Sequence, residues 1–370
     1  MKIPIPKPVL FSLALALVLS ATSLAGEAPR AAGSGEREKT VTVMTQNLYL
    51  GAEVAPVIQA ALTDSSAIPA AVSEVWGKVQ ATDFPERAHA LAVQIDRARP
   101  DLIGLQEAVL YRSQFPADSL GPAPTPATRV EYDFVELLRR ALLDRGLRYE
   151  VVAVSTGFDV ELPRVRSLDP LELEDIRLTE REVILARAER HSALKLSNVE
   201  EGSFETNLDL GFLVVRRGWA AVDVKIRGER FRFITTHLEA DDEHVRVAQS
   251  NELLRGPANT RLPVVLLGDF NSNANGDETS AAYLNLLSGG FRDSWSEVRG
   301  GEAGSTCCHD ELLVAATPFA AARERIDLVL LRGDIEVESV DVVGEEQDDR
   351  TPSGLWPSDH AGVVAKLRLK

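Results

Sequence analysis

Residues 263–271 read Pro263-Val264-Val265-Leu266-Leu267-Gly268-Asp269-Phe270-Asn271. Four apolar side chains in a row, with no polar alternation, suit a strand that is covered on both faces, as in layered α/β proteins. The run stops on a glycine, an acid and an amide. A buried strand thus delivers polar groups at its C-terminal end, the rim where ligands bind in such folds.

Five further short patterns have the same form: Thr45-Gln46-Asn47, Leu105-Gln106-Glu107, Thr235-Thr236-His237, Arg325-Ile326-Asp327 and Ser358-Asp359-His360. Val41–Asn47 alternates as a strand does, and Leu102–Glu107 follows a helix expected over Asp83–Arg99. That helix opens with a capping-box pattern, Asp83-Phe84-Pro85-Glu86, and Pro100 stops it. Residues 48–82 lack a clean period and read as helical turns inserted above a sheet edge. A second amphipathic helix is expected over Glu131–Arg145, with Gly146 at its C′ position. Strands are expected at Tyr149–Val154, Glu182–Arg187, Leu210–Arg216, Ala221–Arg227 and Phe231–His237, the last two flanking a turn at Gly228-Glu229. Helices at Asp241–Arg255 and Glu278–Leu287, then strands at Ile326–Leu331, Glu336–Val343 and Gly362–Leu369, complete the pattern. Strand–helix–strand units mixed with hairpins predict an α/β (α+β) domain of two packed sheets flanked by helices.

The N-terminus reads as an address. Lys2 and Lys7 precede an apolar stretch from Val9 to Leu19, and Ser23-Leu24-Ala25 supplies the small residues of a cleavage site, so residues 1–25 are expected to be a signal peptide. The apolar stretch is too short to span a bilayer. Residues 26–40 read as a flexible leader and 41–370 as the catalytic domain, in a secreted or periplasmic monomer without a transmembrane segment. The chain has 370 residues, 45% of them apolar, enough for a real core. Its formal net charge of −16 argues against broad adhesion to polyanions, although a bound divalent cation can invert the local field. Two cysteines exclude a disulfide scaffold.

Carboxylate and amide oxygens at a rim suit a hard divalent cation. Imidazoles there can move protons and, when charged, stabilise an oxyanion. Gly268-Asp269-Phe270-Asn271 after a Val/Leu strand, together with the late Ser358-Asp359-His360, resembles the endonuclease/exonuclease/phosphatase superfamily, which includes pancreatic-type deoxyribonucleases and neutral sphingomyelinases. The resemblance covers about residues 41–370 and implies a four-layer α/β/β/α sandwich. It implies Asn47, Glu107 and Asp359 as ligands or supports of a catalytic Mg²⁺ (or Mn²⁺ or Ca²⁺). It also implies that Asp269 orients or deprotonates the attacking water and that Asn271 donates to a phosphoryl oxygen. His360 would face the scissile phosphate with Asp327 holding its tautomer, and His237 would be the second active-site histidine. The reaction implied is in-line attack of an activated water on a phosphodiester.

The substrate stays open between nucleic acid, toward which the reading leans, and a phospholipid cleaved in the manner of a sphingomyelinase. A non-catalytic binding protein on the same fold is a further alternative. A basic stripe of Arg216, Arg217, Lys225, Arg227 and Arg230 would favour nucleic acid. Exposed Trp76 or Trp356 would favour a lipid interface. In the charged segment Glu172–Arg190, Arg177 and Arg181 either reach a substrate phosphate or pair on a helix surface. Adjacent Cys307 and Cys308 read as a vicinal disulfide or two thiols rather than a zinc site.

Overall fold

The computed structural model of the protein describes residues 39–190, 193–276, 278–316 and 324–370. The expected signal peptide, and the leader up to residue 38, lie outside these. Strand β1 (Thr40–Asn47) is followed by helices α1 (Ala55–Thr63), α2 (Ile68–Ala81) and α3 (Phe84–Ala98). Next come β2 (Leu102–Gln106), β3 (Leu110–Gln114), β4 (Arg129–Asp133), α4 (Phe134–Asp144), β5 (Tyr149–Leu168) and β6 (Leu171–Arg187). Then follow β7 (Leu194–Ser203), β8 (Leu208–Asp209), β9 (Val214–Val215), β10 (Gly218–Ile226), β11 (Glu229–His237), α5 (Glu243–Arg255) and β12 (Val264–Asp269). The chain ends with α6 (Ala281–Ser288), β13 (Arg292–Asp293), α7 (Ser294–Arg299), β14 (Asp327–Arg332), β15 (Ile335–Val343) and β16 (Gly362–Leu369).

Two mixed sheets result. One runs β15-β16-β1-β2-β6-β3-β4 with β5 paired to β6, and the other runs β13-β14-β12-β11-β10-β7. Each sheet has one parallel pair, β1 with β2 and β11 with β12. The sheets pack face to face through Val41, Val43, Leu102, Val222, Phe231, Phe233, Val265, Leu267, Val329 and Val363. Helices cover both outer faces. On α3, Phe84, Ala88, Leu91, Ala92 and Ile95 recur at helical spacing and are buried against the first sheet, and α5 and α6 cover the second. This is the α/β/β/α sandwich.

Gly104 shows how close the layers come, because a Cβ there would collide with Leu267 and Thr235 of the facing sheet. The parallel pairs bring four strand ends to one rim, with Asn47 beside Gln106 and His237 beside Asp269. The antiparallel strands β14 and β16 begin where these end, so Asp327 sits opposite Asp269. The polar patterns therefore meet because register puts them there.

Several expectations fail locally. The expected strand at Leu210–Arg216 is only β9, paired with β8 in a short hairpin. Strands β5 and β6 extend far beyond their apolar ends into a 20- and 17-residue antiparallel ribbon, because charged pairs such as Arg177–Asp159 hold its outer half. Glu172–Arg187 is thus strand, not helix, and Arg177 and Arg181 are engaged with Asp159 and Asp133. The acidic strand β7 escaped the pattern because it is an exposed edge. Helix α4 starts at Phe134, since residues 129–133 form β4 and Asp133 caps the helix. The β10–β11 turn is Arg227-Gly228, both with positive φ, one residue earlier than expected.

Candidate active site

The loop after β1 builds the first wall of the site. Arg87 of α3 is fully buried and donates to the carbonyls of Thr82, Leu48, Tyr49 and Pro357 at 2.7–3.1 Å. One side chain thus fixes the chain after Asn47 against the chain before Ser358. Ser358 Oγ completes the joint by donating to Asn47 O at 2.8 Å. Burial depresses the Arg87 guanidinium to about 10, against the pull of Asp359, and it stays charged at neutral pH. Glu107 takes a left-handed φ of 50°, which turns its carboxylate from the end of β2 into the rim. Its Oε2 accepts Leu50 N–H at 2.6 Å and its Oε1 accepts Asn47 Nδ2 at 3.1 Å. The same Asn47 nitrogen donates to Asp269 Oδ2 at 3.0 Å, while Asn47 Oδ1 accepts Tyr49 N–H. Asn47 is therefore a clamp between two carboxylates, and its oxygen would reach a cation only with the amide turned over.

Asp269 lies at the centre and is buried. Oδ1 accepts Asn271 N–H at 2.9 Å, and Oδ2 stands 3.4 Å from His237 Nε2 and 3.8 Å from His360 Nε2. Burial pushes this carboxyl up, but the two imidazoles, the Asn271 amide and Asn47 outweigh it and hold the group below its ordinary value. It stays an anion that can accept a proton.

Each histidine has its own acid. Asp327 Oδ2 is 2.8 Å from His360 Nδ1, and Asp327 N–H donates to Thr306 Oγ1. Burial lowers the His360 imidazole, yet Asp327, Asp359 and Asp269 together raise it well above its ordinary value. Asp327 is itself pushed up to about 6, chiefly by burial, so at neutral pH the pair is imidazolium and carboxylate. Across the site, Glu180 Oε1 accepts from His237 Nδ1 at 2.8 Å and from Arg217 Nη1 at 2.7 Å. Burial would raise Glu180, but Arg217 and His237 bring it down to about 2. Burial and Arg217 oppose the charged form of His237, while Asp269 and Glu180 prevail and raise it. His237 Nε2 is also 3.2 Å from Asn271 Nδ2. That contact belongs to the neutral ring and the Asp269 contact to the charged one, because both imidazolium nitrogens are donors.

Glu107 and Asp359, with Asn47 beside them, are the groups that could hold a divalent cation. Asp359 Oδ1 is 3.9 Å from His360 Nε2. Burial and the neighbouring Glu107 push its carboxyl up to about 7, against the pull of His360. Negative charge crowded at one rim, with oxygen-only donors, fits a hard cation such as Mg²⁺, Mn²⁺ or Ca²⁺. Bound there, it would reverse the shift on Asp359.

The structure thus brings all eight sequence-predicted residues to one rim: Asn47, Glu107, His237, Asp269, Asn271, Asp327, Asp359 and His360. It does not gather a basic stripe there. Lys225, Arg227 and Arg230 lie at the far end of the β10–β11 hairpin, and Arg217 is spent on Glu180. Trp76 and Trp356 are buried rather than presented to a lipid surface. The sequence did not mark Glu180 or Arg87, and it offered Arg217 only as part of a basic stripe. Glu180 and Glu182 were legible in principle, since residues two apart on a strand share a face; Arg217 and Arg87 carried no such signal.

A family model described as the Endonuclease/Exonuclease/phosphatase family matches residues 44–360. No curated protein matches the chain. Among solved structures, an endonuclease/exonuclease/phosphatase family protein from Leptotrichia buccalis is 16% identical with a TM-score of 0.55, covering 89% of this chain and 100% of its own. One from Bacteroides vulgatus is 17% identical with a TM-score of 0.53, covering 90% and 99%. D. rerio TDP2, solved with a single-strand DNA product, is 17% identical with a TM-score of 0.52, covering 90% and 100%. At these identities the likeness is one of fold.

Proposed function

Starting from the fact that this chain belongs to the endonuclease/exonuclease/phosphatase family, we propose that it is an exported, divalent-metal-dependent phosphodiesterase. The observation that carries the reading is Asp269, anionic and buried between two histidines that each have their own carboxylate. Glu107 and Asp359 would hold the cation, which would supply Lewis-acid neutralisation of a phosphoryl oxygen. Asp269 accepts the proton of the attacking water. His360, kept charged by Asp327, faces the phosphate and offsets the charge that develops there, and His237 with Asn271 does the same from the other side. Thr306, Arg87 and Ser358 hold these groups so that little reorganisation accompanies the reaction.

For substrate, the reading leans to nucleic acid. Its support is that D. rerio TDP2, alike in fold, was solved with a DNA product. A lipid phosphodiester is the second reading, and one observation favours it. Helices α1 and α2, ribbon β5–β6 and the β8–β9 turn enclose a cavity of about 180 Å³ whose lining, including Val57, Trp76, Val160 and Phe212, is almost wholly apolar. Tyr111 in its wall donates to Leu50 O, and Leu50 N–H donates to Glu107, so this cavity adjoins the candidate cation site.

The test is to assay the protein with Mg²⁺, Mn²⁺ or Ca²⁺, with and without EDTA, on plasmid DNA, RNA, sphingomyelin vesicles and bis-nitrophenyl phosphate. EDTA-sensitive cleavage of DNA or RNA supports the proposal. Cleavage of sphingomyelin with plasmid left intact replaces the nuclease by the lipid reading. Activity that survives EDTA, or none with any ion, overturns the metal-dependent phosphodiesterase.

A further inference from the structure

Cys307 and Cys308 have no part in the chemistry above, yet their sulfurs lie 3.7 and 3.9 Å from His360 Nε2. This neighbourhood is built into the fold. Cys307 forms β-bridges with both Glu324 and His360, and Ala361 N–H donates to Thr306 O at 2.8 Å. Cys307 is buried, whereas Cys308 is exposed and open to reagents in solvent. The two are joined as a vicinal disulfide, in which neither sulfur is a thiolate.

Breaking that bond creates a different set of donors. In a tetrahedral centre with metal–sulfur bonds of about 2.3 Å and metal–nitrogen bonds of about 2.0 Å, the sulfur–nitrogen edge is about 3.5 Å. Both sulfur–nitrogen separations stand close to that edge, and the two sulfurs, bonded to each other in the oxidised chain, part on reduction to complete it. Two thiolates and an imidazole select soft and borderline cations and not Mg²⁺.

We propose that, once reduced, Cys307 and Cys308 form with His360 a site for a thiophilic divalent cation such as Zn²⁺ or Cd²⁺, and that filling it withdraws His360 from the phosphate. A dithiol reductant supplies the two electrons that break Sγ–Sγ and leaves as its cyclic disulfide, its two protons passing to the new thiols. On binding, both thiol protons and the Nε2 proton of the His360 imidazolium go to solvent, Nδ1 keeps its proton toward Asp327, and the sulfurs separate into one coordination shell. The cation site rests on the placement of both sulfurs beside His360 Nε2; only the loss of activity rests on the catalytic reading of His360.

Two measurements separate these claims. The full chain, reduced with a dithiol that is then removed and kept in excess Mg²⁺ to occupy the oxygen site, is titrated with Cd²⁺. It is expected to take up about one ion per chain with a thiolate-to-cadmium absorption band, while the oxidised chain takes up none in this band. Cys308→Ser abolishes the band and keeps basal phosphodiesterase activity within about twofold, as an exposed substitution does. His360→Ala weakens uptake by at least the about 10-fold that loss of even an outer partner costs. In parallel, Zn²⁺ abolishes phosphodiesterase activity of the reduced wild type but spares that of the oxidised wild type and of Cys308→Ser. No band in the reduced protein, or a band unchanged in His360→Ala, overturns the site. Uptake without loss of activity overturns the role given to His360 while leaving the site. A protein inactive in both states but showing the band refutes only the catalytic reading.

Discussion

Asp327→Asn keeps the shape of the side chain and removes its charge. In the wild type, Asp327 Oδ2 meets His360 Nδ1 at 2.8 Å in a fully buried setting. A hydrogen bond to a charged group contributes about 1.5–3 kcal/mol. At about 1.4 kcal/mol per pKa unit, His360 then loses about one to two units of its elevation. The same energy, if expressed in the transition state, lowers kcat/KM by about 10- to 150-fold. The asparagine oxygen can still accept from Nδ1, and Thr306 still holds the backbone at residue 327, so the ring keeps its place. The sign follows from the direction of the shift. Because the folded protein holds the His360 proton above its ordinary pKa, the alkaline limb of the wild-type profile reflects its loss, and the variant moves that limb toward neutral pH. The assay is hydrolysis of bis-nitrophenyl phosphate at saturating Mg²⁺ from about pH 5 to about pH 10, with Tm measured alongside. If the rate and the alkaline limb stay unchanged while Tm falls, Asp327 is structural and the reasoning fails.

Three other outcomes follow from the geometry. Glu182 is buried without a hydrogen-bond partner for either oxygen, and burial with the neighbouring Glu180 pushes its carboxyl up to about 8 from an ordinary 4.5. Its contribution to stability is therefore full below about pH 4.5 and lost as pH rises toward 8, so Glu182→Gln should gain about 3 kcal/mol on the wild type between pH 4.5 and pH 7. A pH-independent difference in urea denaturation would contradict this. Arg87→Lys cannot replace bonds to four separate carbonyls. It should cost about 3 kcal/mol or more and raise the Mg²⁺ concentration needed for half activity, because Leu50 no longer steadies Glu107; unchanged metal activation would deny that link. Gly104→Ala should cost about 1–3 kcal/mol by forcing the sheets apart beside Thr235, and an unaltered urea midpoint would show that the layers can yield.

The sandwich was legible because its central strands are apolar on both faces and end in polar residues. Pro263–Asn271 and Leu102–Glu107 needed no partner to be recognised as buried strands with a functional rim. The outer half of ribbon β5–β6 was not legible, since salt bridges such as Arg177–Asp159 replace apolar alternation there. Trp356 shows the same limit at the site. Exposure of this ring would have favoured a lipid interface, but it is stacked on His309 and its Nε1 donates to Ala315 O. The eight rim residues could be found because each stands at a strand end or within three residues of one. Glu180 and Arg217 act from within a strand and from a loop, and only three-dimensional contact reveals what they do to His237.

The most direct measurement of the central claim is hydrolysis of a phosphodiester in ¹⁸O-labelled water with Mg²⁺, comparing the wild type with Asp269→Asn. The account expects one ¹⁸O in the phosphomonoester product of the wild type and turnover at least about 100-fold slower in the variant. Label appearing in the alcohol product, or an Asp269→Asn variant as fast as the wild type, would contradict water attack at phosphorus assisted by this carboxylate.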